Sequence, residues 1–300
     1  MKNGPFIKSK SQKGIFEMLL ATFIWGSIPI FSIWCNLPSP IFVFFRVLFA
    51  MPLVLFYSIK KLGKDEFFRI RPFAPLFLSG IALALNWILF FWAISLTSIA
   101  NAVVLYYLGP IFTILLAILF LKENFTFNIG LSVFLALGGM CLIFANNSLS
   151  FHLNEVLGLI IAFFSGLCFG ILGFFSKMAV MHHSAIKLTS YQIIISVVLL
   201  VPFLFFIHFK LDGRILGLLL ITGIIHTALA LFLWYDSFNY LNVITVSIFS
   251  YLDPLFAILL GAIFLKQIPT LFQIIGACLI IVAGFLVSAL HPKLLFKRKY

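Results

Sequence analysis

Asp253 is the residue in this 300-residue sequence best placed to do chemistry. It lies about midway along the apolar run VITVSIFSYLDPLFAILLGAIFL, directly before Pro254. A charge at that depth of a bilayer costs several kcal/mol, so an ionisable side chain kept there is a functional candidate by default. Its carboxylate could carry a coupling proton or hold a substrate ammonium group. It could equally stay protonated and bond to carbonyls freed by the proline. Arg46, in FFRVLFA, has a fixed charge and forked donors suited to a substrate carboxylate. It could also snorkel to headgroups. His226, in IIHTALALFLWYDSF, is a proton carrier or a satisfied polar group.

Asn86 stands in the middle of another apolar run, where its amide needs a partner. Trp25, Trp87, Tyr106, Tyr107, Trp234 and Tyr251 combine an apolar body with a polar tip, as residues at membrane interfaces also do. Pro110 and Pro254 interrupt two runs at matching depths and could act as hinges, line a site, or only shape the bundle. Glu17 reads as a helix-dipole partner in the first turn of its span. Lys177 and Asp236 read as interface markers, and His182 and His183 as a solvated loop pair. Cys35, Cys141, Cys168 and Cys278 lack C-x-x-C spacing and read as small hydrophobes, so no metal and no cofactor is expected.

The elements that must position these residues follow from composition. Hydrophobic residues are 63% and charged residues 9% of the chain, with mean hydropathy +1.21. Soluble domains carry about 25% charged residues, so lipid is the expected surroundings. A span needs about 20 apolar residues. Dividing at charges, prolines and polar clusters predicts ten, near 15–34, 40–59, 73–94, 98–121, 127–145, 156–176, 188–208, 215–235, 243–265 and 270–290. With the N-terminus inside, sixteen Lys and Arg fall in cytoplasmic segments and three in outer ones, which predicts both termini in the cytoplasm. The net charge of +12 is spread over these flanks, a pattern that disfavours nucleic acid as a partner.

A stretch of the chain occurs twice. YLGPIFTILLAILFLKE at 107–123 and YLDPLFAILLGAIFLKQ at 251–267 lie 144 residues apart and agree at ten of seventeen positions. The expected units are therefore 1–150 and 151–300, each with five spans. An odd number of spans per unit turns the second upside down relative to the first. Inverted repeats characterise carriers with a midplane site. Thr22 and Gly26 align with Gly166 and Gly170, a small-xxx-small spacing read as close helix packing.

These residues resemble the EamA branch of the drug/metabolite transporter superfamily. The likeness rests on Trp25-Gly26-Ser27, on Arg46 in its motif, on LTSIANAVVL leading into the first repeated stretch, and on IIGACLIIVAGFLV after the second. It runs from about residue 14 to residue 288. It implies an all-α protein of ten transmembrane helices, two inverted five-helix repeats around a central cavity. It also implies movement of amino acids or other metabolites, mostly outward. Gln267 departs from the glutamate the family often has there. No nucleotide-binding loop or hydrolase motif is present. The expected function is secondary transport across a bacterial inner membrane, with a small-molecule substrate, the lipid bilayer and a coupling proton as partners. Efflux leads; import of a nutrient such as S-adenosylmethionine, or a membrane enzyme acting on a lipid-linked substrate, are the alternatives.

Overall fold

The computed structural model describes residues 5–144, 152–266 and 268–289. Gln267, and the predicted span ends at 145 and 290, lie outside the described residues. All regular structure among the described residues is helical. In chain order the helices are α1 (Pro5–Gly26), α2 (Ile28–Cys35), α3 (Ser39–Leu62), α4 (Lys64–Phe68), α5 (Phe73–Leu96), α6 (Ile99–Tyr106), α7 (Gly109–Leu121) and α8 (Phe127–Ile143). Then come α9 (Leu153–Val180), α10 (Ala185–Leu200), α11 (Phe203–Phe206), α12 (Gly213–Ile221), a π-helical segment (Thr222–Leu229), α13 (Ala230–Ser237), α14 (Val243–Phe249), α15 (Leu252–Leu265) and α16 (Leu271–Ala289).

Among the described residues, eight stretches are long and apolar enough to cross a membrane, some of them built from two or three consecutive helices. They correspond to eight of the predicted spans. The other two, Phe127–Ile143 and Leu271–Val287, are apolar but shorter. Side chains start several helices: Ser98, Thr126, Asp212 and Asn242 each accept a bond from the backbone N–H three residues on, closing an orphan donor of the first turn. Both copies of the repeated stretch stop their helix in the same way, with Lys122 and Lys266 in the left-handed conformation at φ 53° and 55°.

Three spans are broken near mid-length. The break between α1 and α2 falls at Ser27, that between α6 and α7 at Tyr107–Leu108, and that between α14 and α15 at Ser250–Tyr251. Pro110 and Pro254 sit in the first turn of the helix after each of the last two breaks. A proline costs little there, because its missing N–H would be unpaired anyway.

Two groups of helices, or bodies, pack closely, and α10 packs on α5 of one, on α13 of the other and on α3. In the first, α5, α6 and α7 lie on α9; in the second, α13 and α15 lie on α1. Glycines set the close approaches. A methyl on Gly26 would stand 2.5 Å from Cβ of Phe256, and one on Gly170 would stand 2.4 Å from Cβ of Phe112. These contacts are related by the 144-residue step. The helices α8 and α16 pack together through Gly139 and Gly276, where a methyl on either would meet the other's carbonyl oxygen at 2.5 or 2.4 Å.

One end of the bundle carries Lys60, Lys61, Arg69, Arg71, Lys122, Lys177 and Lys187, and there several expectations change. Glu17 is not in a first turn, since α1 begins at Pro5. It is buried and ion-paired with Lys13 at 3.3 Å. Lys13 also reaches Asp236 at 3.2 Å and Tyr240 at 2.6 Å, so its three N–H groups face three acceptors. His183 is buried, with its Nε2 3.0 Å from the Pro72 carbonyl; burial pushes its imidazole below the usual histidine range. Lys187, in the first turn of α10, is 1% exposed and donates to the carbonyls of Glu66 and Arg69. Loop residues become buried here because the loop 63–72 folds back onto α10, where Tyr191 also holds the Phe67 carbonyl at 3.1 Å.

The glycine contacts generate a paired test. Gly139→Val should destabilise the protein by about 1–3 kcal/mol through overpacking. Gly138→Val, which meets nothing within 4 Å, should leave the thermal midpoint in detergent near the parent value.

Candidate functional site

The broken spans meet in the middle of the bundle, and there the polar side chains predicted from sequence are found. Tyr107 donates to Oδ2 of Asp253 at 3.5 Å, a long bond, and Tyr251 donates to the Tyr107 carbonyl at 2.8 Å. The two tyrosine rings stack with centroids 5.9 Å apart. The carbonyl that Tyr251 satisfies belongs to the α6–α7 break, so one hydroxyl repairs the backbone that the other tyrosine interrupts. Asp253 is half-buried, and its Oδ1 has no hydrogen-bond partner.

His226 lies in the π-helical segment. Its Nε2 is 2.7 Å from Oγ of Ser27, at the α1–α2 break, and its Nδ1 is buried without a partner. Trp25 donates to the His226 carbonyl at 3.0 Å. The wider π turn leaves carbonyls without their usual intrahelical partners, and the indole supplies one. Trp25 also packs edge-on against Trp234 at 5.8 Å, and Phe31 packs against the His226 ring at 4.7 Å.

Arg46 is 6% exposed on α3. Its guanidinium carbon stands 5.0 Å from the centre of the Trp87 ring, a cation–π geometry. Its Nε has no partner, and no carboxylate among the described residues forms an ion pair with it. Burial at this depth is at odds with snorkelling to headgroups. Tyr106 lies within electrostatic reach of both Arg46 and Asp253 and stacks on Phe169 at 5.0 Å. Arg46 and Asp253 thus both lie near Tyr106 and form no ion pair with each other.

Asn86 is placed elsewhere. Its amide donates to the Ser165 carbonyl at 2.9 Å and lies 3.2 Å from Ser165 Oγ, which in turn donates to the Asn86 carbonyl at 2.9 Å. That exchange joins α5 to α9 within one body, so its donors are spent on packing. Sequence reasoning passed over Ser27 as a partner for histidine. Trp234, one of the aromatics with a polar tip, has its Nε1 buried without a partner. The only signal for Ser27 was its place after Trp25-Gly26.

A cavity of about 550 Å³ opens toward the end opposite the Lys/Arg-rich one, lined by Ser39, Pro40, Ile88, Phe91, Ile94 and Leu200 among others. None of the predicted site residues lines it, so it is not the central cavity expected. Ser39 and Arg46 are seven residues apart on α3, and Trp87 and Phe91 four apart on α5. Such spacings share a helix face, so Arg46 and Trp87 lie on the helix faces whose ends line the cavity.

The sequence model of the EamA-like transporter family matches residues 12–145 and again 156–289. The chain belongs to the EamA-like transporter family. An uncharacterized transporter of Bacillus subtilis, YxxF, is 30% identical over 293 residues, covering 93% of this chain and 91% of the relative. The S-adenosylmethionine uptake transporter of Rickettsia bellii is 24% identical over 257 residues, covering 85% and 84%. The pseudopaline exporter CntI of Pseudomonas aeruginosa is 25% identical over 282 residues, covering 92% and 96%. One solved crystal structure shares the fold with a TM-score of 0.82 at 15% identity, covering 96% of this chain and 99% of that one. As an EamA-like protein the chain is a polytopic membrane transporter, and its relatives' cargoes are small molecules moved in either direction.

The geometry separates packing from binding. Asn86→Ala should lower stability by about 1–3 kcal/mol, because it leaves buried Ser165 groups unpaired. Its affinity for any transported ligand, read by titration of the folded fraction, should match the parent's.

Proposed function

We propose that this EamA-like transporter is a secondary carrier that exports an amino acid or related metabolite across the bacterial inner membrane by alternating access. In this reading Arg46 takes the substrate carboxylate and Asp253 its ammonium group. Trp25 and Tyr251 hold the surrounding backbone, Tyr107 orients the Asp253 carboxyl group, and Pro110 and Pro254 start the half-helices that re-aim as the bodies move. His226 lines the same region, and a proton on Asp253 or His226 couples export to the gradient.

The observation that carries the reading is that Arg46 and Asp253, both close to Tyr106, have no ion-pair partner among the described residues, and that Arg46 Nε and Asp253 Oδ1 are left without hydrogen bonds. Each is costly in a low-dielectric interior without a partner. A zwitterion spanning them would satisfy both, and a proton would neutralise Asp253 when the site is empty. The cavity lined by Ser39 then serves as the mouth at the outer side, and the Lys/Arg-rich end as the cytoplasmic side with both termini.

The architecture in this reading is ten spans, with Phe127–Ile143 and Leu271–Val287 as the fifth and tenth. The chain divides at about residue 150 into two inverted repeats. Support comes from contacts that recur under the 144-residue step: Gly26 on Phe256 and Gly170 on Phe112, and Tyr107 stacked on Tyr251, its own repeat partner. The direction of transport is the less constrained half. A relative named for uptake of S-adenosylmethionine, itself a molecule with a carboxylate and an ammonium group, keeps import as the second reading.

A ligand screen by thermal shift tests both contacts. A ligand at 100 times its Kd adds about 2.7 kcal/mol of stability. Losing one charge-assisted contact should weaken binding about 10- to 100-fold. Arg46→Gln should abolish discrimination between an amino acid and its carboxamide, and Asp253→Asn that between the amino acid and its deaminated analogue. Ligand shifts identical in parent and both variants would overturn the assignment.

A further inference from the structure

At the Lys/Arg-rich end, two charged side chains of the first body grip one turn of the second. Glu123 follows α7. Its Oε1 accepts from the Val243 N–H at 2.9 Å and its Oε2 from the Ile244 N–H at 3.2 Å. These are orphan donors in the first turn of α14, where a negative charge also meets the positive end of the helix dipole. Lys177, near the end of α9, donates to the carbonyl of Phe238, just after α13, and to that of Leu241 at 3.2 Å. The turn 238–244 is thus held by an anion on its N–H groups and a cation on its carbonyls. Glu123 and Lys177 also interact electrostatically with each other.

The repeat locates the matching place at the other end. The turn equivalent to 238–244 is 94–100, and three features fix the register. Asn242 and Ser98 are both N-caps bonded to the N–H three residues on. A methyl on Gly14 would meet Tyr240 and Leu241 at 2.7 and 2.8 Å, and one on Gly158 would meet Leu96 and Thr97 at 3.0 Å. All of these pairs lie 144 residues apart. At the positions equivalent to Lys177 and Glu123, the sequence has Ile33 and Gln267, both uncharged. In the 94–100 turn, Thr97 Oγ1 is buried without a partner, and Ile94 lines the 550 Å³ cavity.

We propose that Glu123 and Lys177 form a charged latch between the two bodies, which keeps the Lys/Arg-rich end shut and must release once per transport cycle. The opposite end, built on the same plan without the two charges, has no such latch, so the resting protein is open there. This rests on the alternating-access reading given above. The duplication supplied two equivalent gates, and two substitutions made them unequal.

Cysteine accessibility without any ligand tests the latch independently of the cargo. In a background with the four native cysteines changed to alanine, Ser247→Cys reports on α14, where Ser247 is 4% exposed. Ser39→Cys reports on the cavity at the other end. Removing one charge-assisted partner should shift the balance of states by about tenfold. Glu123→Gln or Lys177→Met should therefore raise maleimide labelling at Ser247→Cys and lower it at Ser39→Cys, whereas Glu123→Asp should retain most of the parent pattern. The converse variant, Ile33→Lys with Gln267→Glu, should slow labelling at Ser39→Cys. Unchanged rates at both positions would overturn the latch. So would a rise at both, which is general loosening. If the labelling shifts as expected while Arg46→Gln and Asp253→Asn leave ligand binding intact, the latch stands and the substrate assignment falls.

Discussion

Inside a bilayer a backbone N–H or C=O that leaves its helix finds no water, so the protein itself must supply the partner. Among the described residues this chain breaks three of its apolar spans near mid-length and widens a fourth into a π turn. The structure holds because the breaks meet one another. Tyr251 bonds the Tyr107 carbonyl across the two copies of the repeated stretch. Trp25 bonds the His226 carbonyl between the first span and the π turn. The residues that satisfy these freed groups are aromatic ones with a single polar tip, which bury a large apolar surface around each bond. The polar centre of the molecule is therefore a consequence of broken backbone, and the charged residues occupy space that regular helices would have closed.

Close helix packing makes the two bodies coherent. Glycines place α1 against α15 and α9 against α7 with backbone nearly touching side chain, and Asn86 and Ser165 join α5 to α9 by exchanging bonds. In lipid there is little hydrophobic drive to bring helices together, so close van der Waals contact and interhelical hydrogen bonds do it. Contacts inside each body are of this dense kind, and between the bodies Tyr107 stacks on Tyr251 and Phe169 packs against Trp234.

Much of this was legible in the sequence. Hydropathy marked the membrane segments, because about 20 apolar residues in a row have few other homes. The repeated stretch and its neighbours marked the family, which the match over both halves bears out. Mid-span Asp253 and Arg46 stood out because their cost there is independent of what they touch. The readings that changed were those for which the partner decides. Glu17 was taken for a dipole partner and is a buried ion-pair member. His183 reads as a solvated loop residue and is buried against a returning loop. Asn86 reads as an amide in need of a partner, and that partner is Ser165.

The sequence by itself marked the apolar segments, a stretch that occurs twice, and the costly polar groups that stand within those segments. Those follow from transfer free energies, which are summed along the chain and need no knowledge of neighbours. Only the tertiary structure decided which polar groups pair. An almost uniformly apolar helix gives little periodic signal for its rotation, and partners such as Glu123 and Val243, or Trp25 and His226, lie more than a hundred residues apart. Whether a buried charge is neutralised or left for a ligand depends on that rotation, and so it is settled by packing.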